Sequence, residues 1–211
     1  IYDSSLQLIG SIENLAPDEQ IKSARLMGKV GYFVTFRQTD PLFSVDLSDP
    51  TAPKVLGELK IPGFSAYLHP YGEDLLLGIG YDADESTGWT QGVKLSMFDV
   101  SDPGNVKEIH KVILPEFSTT AVAANHKAAL VDAEKNIIGF PARGYGDNGE
   151  YNVYLVYGYD KETGFTKKFS EGYAMDWSID WYEFKYEYFY SDCRGAYIDD
   201  TFYMINPSYE I

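Results

Sequence analysis

The sequence predicts an all-β fold of the β-propeller class: about four antiparallel four-stranded blades, forming a propeller or an open propeller fragment. Three observations predict it. The stretch LFSVDLSDPTAPKVLGELKIPGFS, residues 42–65, returns 53 positions later as LSMFDVSDPGNVKEIHKVILPEFS, residues 95–118. Without a gap, the copies share Leu42/Leu95, Asp46/Asp99, Ser48/Ser101, Asp49/Asp102, Pro50/Pro103, Lys54/Lys107, Pro62/Pro115, Phe64/Phe117 and Ser65/Ser118. Repeats of roughly 40–50 residues mark propellers and solenoids. Secondly, short apolar runs with period-two alternation recur between turn residues, as in antiparallel hairpins. Thirdly, no stretch beyond about ten residues carries the 3.6-residue apolar period of a long helix.

Each element follows from this frame. Leu8-Ile9-Gly10-Ser11-Ile12 parallels Val55-Leu56-Gly57-Glu58-Leu59, so residues 1–20 hold the closing strand of a preceding blade. Ala16 to Gln20 turns the chain, with room for one helical turn over 16–25. The first complete blade, 21–62, has expected strands at 22–28, 31–37, 42–47 and 54–61 around the Gly28–Gly31 and Ser48-Asp49-Pro50 turns. Tyr32, Val34 and Phe36 alternate with Phe33, Thr35 and Arg37, so apolar groups lie on both faces, as in a sheet packed between sheets. The second blade, 63–116, has expected strands at 65–70, 75–81, 93–100 and 107–114, with a longer acidic loop from Asp82 to Gly92.

The third blade, 117–193, includes an aromatic insertion. Its first strand is expected at 127–132 in preference to 119–123, because Leu130-Val131-Asp132 before Ile137-Ile138-Gly139 mirrors Tyr67-Leu68-His69 before Leu75 to Gly78. Strands near 136–142, 151–159 and 165–173 complete it, and Phe184 to Tyr190 alternate as a further strand would. Residues 194–211 open another blade.

The chain has 32 acidic against 17 basic residues, a net charge of −15, which repels phosphate backbones and anionic membranes. Nucleic acid is therefore not an expected partner. Cys193 is the single cysteine, so no internal disulfide forms, although a chain of this size needs none for export. No run approaches the ~18 apolar residues of a transmembrane helix. The start at Ile1, without Met, suggests an excised portion of a longer protein.

The run Ala24-Arg25, Phe33-Val34-Thr35-Phe36-Arg37-Gln38-Thr39-Asp40-Pro41-Leu42-Phe43, then Val45 to Pro50, Pro53 to Ser65 and Tyr67-Leu68-His69-Pro70, is distinctive. With Lys94 to Asp102, His126 to Leu130, Ile138 to Pro141 and Arg194 to Ile198, it resembles a family of secreted bacterial and archaeal proteins with a C-terminal β-propeller domain. The resemblance implies export to an extracytoplasmic location, secreted or at the cell surface. It implies no catalytic residues.

The aspartates of the repeated DLSDP and DVSDP turns read as Asx-type turns, since a turn must be rebuilt in every blade and a site need not be. Unrepeated features are the better candidates. Arg37 and Asp40, on a polar connection without counterpart in the second repeat, and His69 form a candidate ligand set around the central channel. Asp82, Asp84 and Glu85 supply hard oxygens of the kind Ca²⁺ prefers, although the full EF-hand spacing is missing. Solvated hairpin charge is the default for them, and no cofactor is otherwise expected. Trp177, Trp181 and Tyr182, in the tract WSIDWYEFKYEYFY, suit docking to a protein or carbohydrate. His69, His110 and His126 are widely separated along the chain, without zinc-site spacing, and no nucleophile elbow or phosphate-binding loop occurs. The expected function is a non-enzymatic extracytoplasmic interaction or scaffold module with an unspecified ligand and oligomeric state. A hydrolase or metal-assisted enzyme in the channel, or a calcium-stabilised surface domain, are the alternatives.

Overall fold

The computed structural model describes residues 1–36, 40–146, 149–174 and 193–205. Its strands form antiparallel sheets stacked face to face, each built from consecutive segments. The first sheet runs in the order β1 (Gln20–Met27), β2 (Val30–Phe36), β3 (Asp40–Asp46), β4 (Lys54–Ile61). The second runs β5 (Phe64–Pro70), β6 (Leu75–Ala83), β7 (Thr90–Asp99), β8 (Lys107–Leu114). The third holds β9 (Phe117–Thr120), β10 (Leu130–Asp132), β11 (Ile137–Gly146), β12 (Gly149–Asp160) and β13 (Gly164–Ala174). The last described sheet is the pair β14 (Arg194–Ile198) and β15 (Thr201–Ile205).

Side-chain alternation decides what lies between the sheets. Tyr32, Val34 and Leu42 of the first sheet meet Leu68, Leu76 and Phe98 of the second in one buried cluster. Leu77, Ile79, Leu95 and Met97 point the other way and meet Phe140, Ala142 and Leu155 of the third. Neighbouring residues such as Met97 and Phe98 therefore serve opposite interfaces, and the second sheet is buried on both faces. Ile137, Tyr154, Val156 and Cys193 form the third cluster, with Tyr197, Phe202 and Met204 of the last pair packed against it.

The sequence repeat extends to backbone irregularities. The β3/β4 ladder shifts register between Ser44 and Val45, and the β7/β8 ladder shifts at the corresponding Met97 and Phe98. The repeated aspartates do cap turns. The Asp46 and Asp99 Oδ1 atoms accept the Ser48 and Ser101 amides at 2.8 and 3.0 Å. Asp49 and Asp102 accept the Thr51 and Gly104 amides at 2.9 and 3.0 Å. The hydrogen bonds from Ser48, Thr51 and Ser101 hold the Asp46, Asp49 and Asp99 carboxyls below their usual range.

These turns also clasp adjacent sheets. The Ser44 hydroxyl donates to the Pro103 carbonyl at 2.5 Å, and Gly57 lies so close to Gly104 that a methyl would meet its carbonyl oxygen. Gly10 stands against Pro50 in the same way. The N-terminal segment thus occupies, against the first sheet, the place that β4 occupies against the second.

Two expectations are corrected. Residues 16–25 hold no helical turn, because β1 begins at Gln20 and pairs with β2. The first strand of the third sheet is neither 119–123 nor 127–132 alone. Thr120 and Thr119 pair with Ala142 and Arg143, while Leu130 and Asp132 pair with Gly139 and Ile137. One strand position along β11 is filled by two segments, and residues 121–129 leave it as an excursion of two 3₁₀ turns, Ala121–Ala123 and His126–Ala128. Asn125 accepts the Lys127 amide at 3.1 Å and opens the second turn. The likeness of residues 130–132 to 67–69 marks only the second of the two segments.

Among the described residues β14 pairs with β15 alone and makes no ladder with residues 1–12, so the sheets do not close into a ring. The expected strand over 184–190 lies outside the described residues. No described helix is long and apolar enough to cross a membrane.

Candidate functional site

Two places depart from the repeat and gather chemically useful side chains. The first lies along the opening strands of three successive sheets. β1 and β5 approach closely enough that the Ser23 hydroxyl donates to the Ser65 carbonyl at 2.6 Å, and Arg25 Nε to the Leu68 carbonyl at 2.8 Å. The Arg25 guanidinium lies over the Tyr67 ring, 5.4 Å from its centroid. Tyr67 and His69 are two apart on β5 and share a face, so the Tyr67 hydroxyl and His69 Nδ1 hydrogen-bond at 2.7 Å. The 121–129 excursion then brings His126 over the same tyrosine, 6.4 Å between centroids and 18° between planes.

Arg25, Tyr67 and His69 are half-buried and His126 is exposed. Burial and then the Arg25 charge push the His69 imidazole below its ordinary 6.5, so His69 is neutral at pH 7. Stability follows with a definite sign. The unfolded histidine takes up its proton near 6.5 and the folded one only at lower pH, so stability is present above 6.5 and falls as pH drops below it. Urea midpoints at neutral and mildly acidic pH should show that fall, and His69→Gln should flatten it. An equal slope in the variant would contradict the assignment.

The second place is the β6–β7 hairpin. Asp84 Oδ1 accepts from Ser86 N and Oγ at 3.0 and 2.5 Å, and from Thr87 N and Oγ1 at 2.9 and 3.0 Å. The Trp89 carbonyl accepts the Asp84 amide at 2.9 Å, closing the loop. The bonds from Ser86 and Thr87 hold the Asp84 carboxyl down to about 2. The loop so fixed displays Trp89 with 77% of its surface exposed. An open cavity of about 380 Å³ lies beside it, lined by Pro62, Asp84, Glu85, Gln91 and Lys111 among others.

The three candidate calcium ligands have different roles here. Asp82 is buried and faces the buried Lys94, whose Nζ lies 3.8 Å from its Oδ1. Asp84 caps its own loop, and Glu85 is exposed. Among the described residues no three His, Cys, Asp or Glu side chains are grouped to hold a metal. Of the channel set, His69 is described, whereas Arg37 and the Asp40 side chain lie outside the described residues, as do Trp177, Trp181 and Tyr182.

Of the histidines, His69 and His126 come together on Tyr67, while His110 Nδ1 bonds the Tyr159 hydroxyl at 3.0 Å. Sequence reasoning missed Arg25, Tyr67 and Trp89 as site residues. The available signals were the shared face of Tyr67 and His69 and the lack of any counterpart to 121–129 in the earlier repeats.

A sequence model described as "Beta propeller domain" matches residues 1–209. An uncharacterized protein of Archaeoglobus fulgidus is 38% identical over 207 residues, covering 98% of this chain and 28% of the relative. An uncharacterized protein of Methanocaldococcus jannaschii is 44% identical over 142 residues, 67% of this chain and 22% of the relative. The chain thus spans less than a third of either relative.

Proposed function

The chain belongs to the Beta propeller domain family, and from that premise we infer that it is a non-enzymatic interaction or scaffold module working outside the cytoplasm. Stacked sheets supply a rigid frame and the connecting loops supply the contacts. The observation that carries the inference is Trp89, 77% exposed on a loop that Asp84 holds in one conformation. A large aromatic presented by a pre-ordered loop contributes contact area at little entropic cost, which is the chemistry of recognition. Glu85, exposed on the same hairpin, and Gln91, which lines the adjoining cavity, supply polar partners for a protein or carbohydrate ligand. The extracytoplasmic location rests on the resemblance of the TFRQTDPLF-to-YLHP region to secreted proteins.

Trp89→Ala tests the inference, because removing so exposed a side chain leaves the core intact. The wild-type chain and the variant are compared on arrays of polysaccharides and extracellular proteins. A ligand bound by the wild type should bind the variant about tenfold more weakly or worse, as for a central aromatic anchor. Equal binding would remove the Trp89 loop from the contact surface. Protease accessibility of the tagged parent protein on intact cells tests the location, and complete protection from added protease would contradict it.

A further inference from the structure

We propose that Arg25, Tyr67, His69 and His126 form an oxyanion-binding site, taking a carboxylate or phosphate group of a ligand where the opening strands of three successive sheets converge. This site is separate from the Trp89 loop and stands whether or not that loop docks a partner.

The first reason is an unused cation in an acidic protein. The chain carries a net charge of −15, yet Arg25 makes no ion pair among the described residues. Its Nε is committed to the Leu68 carbonyl and its face to the Tyr67 ring. Those two contacts fix the plane of the guanidinium and leave the two terminal nitrogens, with four N–H donors, for a ligand. A fixed planar fork of donors matches the two oxygens of a carboxylate or phosphate.

The second reason is that the surrounding described residues add donors and no competing negative charge. His69 spends Nδ1 on the Tyr67 hydroxyl, leaving Nε2. In the tautomer protonated at Nε2, Nδ1 accepts the hydroxyl proton and Nε2–H is a neutral donor. Among the described residues, Arg25 is the charge that bears on His69. His126 adds a second imidazole over the tyrosine and is exposed at the mouth of the cluster.

The third reason is the architecture. The other opening strands run unbroken, whereas that of the third sheet is interrupted at 121–129, and the excursion places His126 on Tyr67. Its first 3₁₀ turn buries Ala121 and Val122, and Thr120 caps it by accepting the Val122 amide at 3.3 Å. The excursion is thus anchored in the core.

Imidazole proton resonances of the 211-residue chain, assigned with single His→Gln variants, supply the test. Sodium phosphate and sodium acetate are titrated separately at pH 7, with sodium chloride at matched ionic strength as the control. The expected result is a saturable shift of His69 and His126, with His110 unmoved, within about 50 mM of at least one oxyanion, an affinity fitting a single-group fragment. Whichever salt acts identifies the oxyanion as phosphate-like or carboxylate-like.

Arg25→Gln should weaken binding at least about tenfold, and Arg25→Lys should lose much of it despite keeping the charge, because the fork is gone. Should Arg25→Gln fail to fold, His126→Ala decides, since its side chain is exposed; a loss of about threefold or more is expected for one removed donor. Shifts reproduced by chloride, equal movement of His110, or undiminished binding by His126→Ala would each overturn the proposal.

Discussion

Lys94→Ala should destabilise the chain by about 3–5 kcal/mol, the cost of leaving one member of a buried ion pair without the other. Lys94 is 2% exposed in the middle of β7, between Val93 and Leu95, which are wholly buried. Its ammonium donates to the Pro62 carbonyl and faces the Asp82 carboxylate at 3.8 Å. Truncation removes the donor, strands a carboxylate whose side chain is only 11% exposed and leaves a void. Each of these effects has the same sign. The double variant Asp82→Asn/Lys94→Met should recover a large part of the loss, because it removes the stranded charge and refills the volume. Denaturant midpoints of the wild type, Lys94→Ala and the double variant check this. A single-variant loss below about 1 kcal/mol, the range of exposed pairs, would show that the pair is solvated.

Phe140→Ala should cost about 3–5 kcal/mol, the range for large aromatics deleted from close-packed cores. Phe140 is completely buried on β11, within the cluster that joins the second and third sheets. Its ring stacks on Tyr157 of the adjacent strand, with centroids 6.2 Å apart and planes 19° apart. The cavity would open at the seam between two sheets, where neither can relax without shifting its ladder. Thermal unfolding should therefore move to lower temperature as one transition if the sheets fold as a unit. An unaltered midpoint would mean that this seam contributes little to stability.

These two residues differ in how far the sequence announced them. Phe140 falls within the strand expected near 136–142, and the alternation of that strand turns it toward the second sheet. Lys94 did not stand out, because a lysine in a strand normally faces water. Its burial follows from having a sheet on each side, so that no face of β7 is left for solvent. Whether a charge is paired in such a setting depends on residues far away in the chain, here the carbonyl of Pro62 and the carboxylate of Asp82.

The same division holds for the sites. The DxSDP turns were legible because a side chain accepting an amide two positions away is a local event. The clasp between Ser44 and Pro103 was not, since it spans 59 positions and joins different sheets. Asp84 shows a local effect overriding a compositional one. Its carboxylate belongs to a set of calcium-like oxygens by residue type, but adjacent hydroxyls and amides occupy it. His69 was singled out from the sequence, whereas its companions Arg25 and His126 lie 44 positions before and 57 after it.

By itself, then, the sequence determined the repeat, the strand alternation and the turn chemistry, because these depend on residues within a few positions of one another. The stacking of the sheets, the burial of Lys94, the interrupted strand at 121–129 and the meeting of Arg25, Tyr67, His69 and His126 were decided by the tertiary structure. Convergence from three sheets leaves no fixed spacing in the chain. It arises only when each sheet must cover the apolar face of the next, and that packing sets which side chains meet along their opening strands.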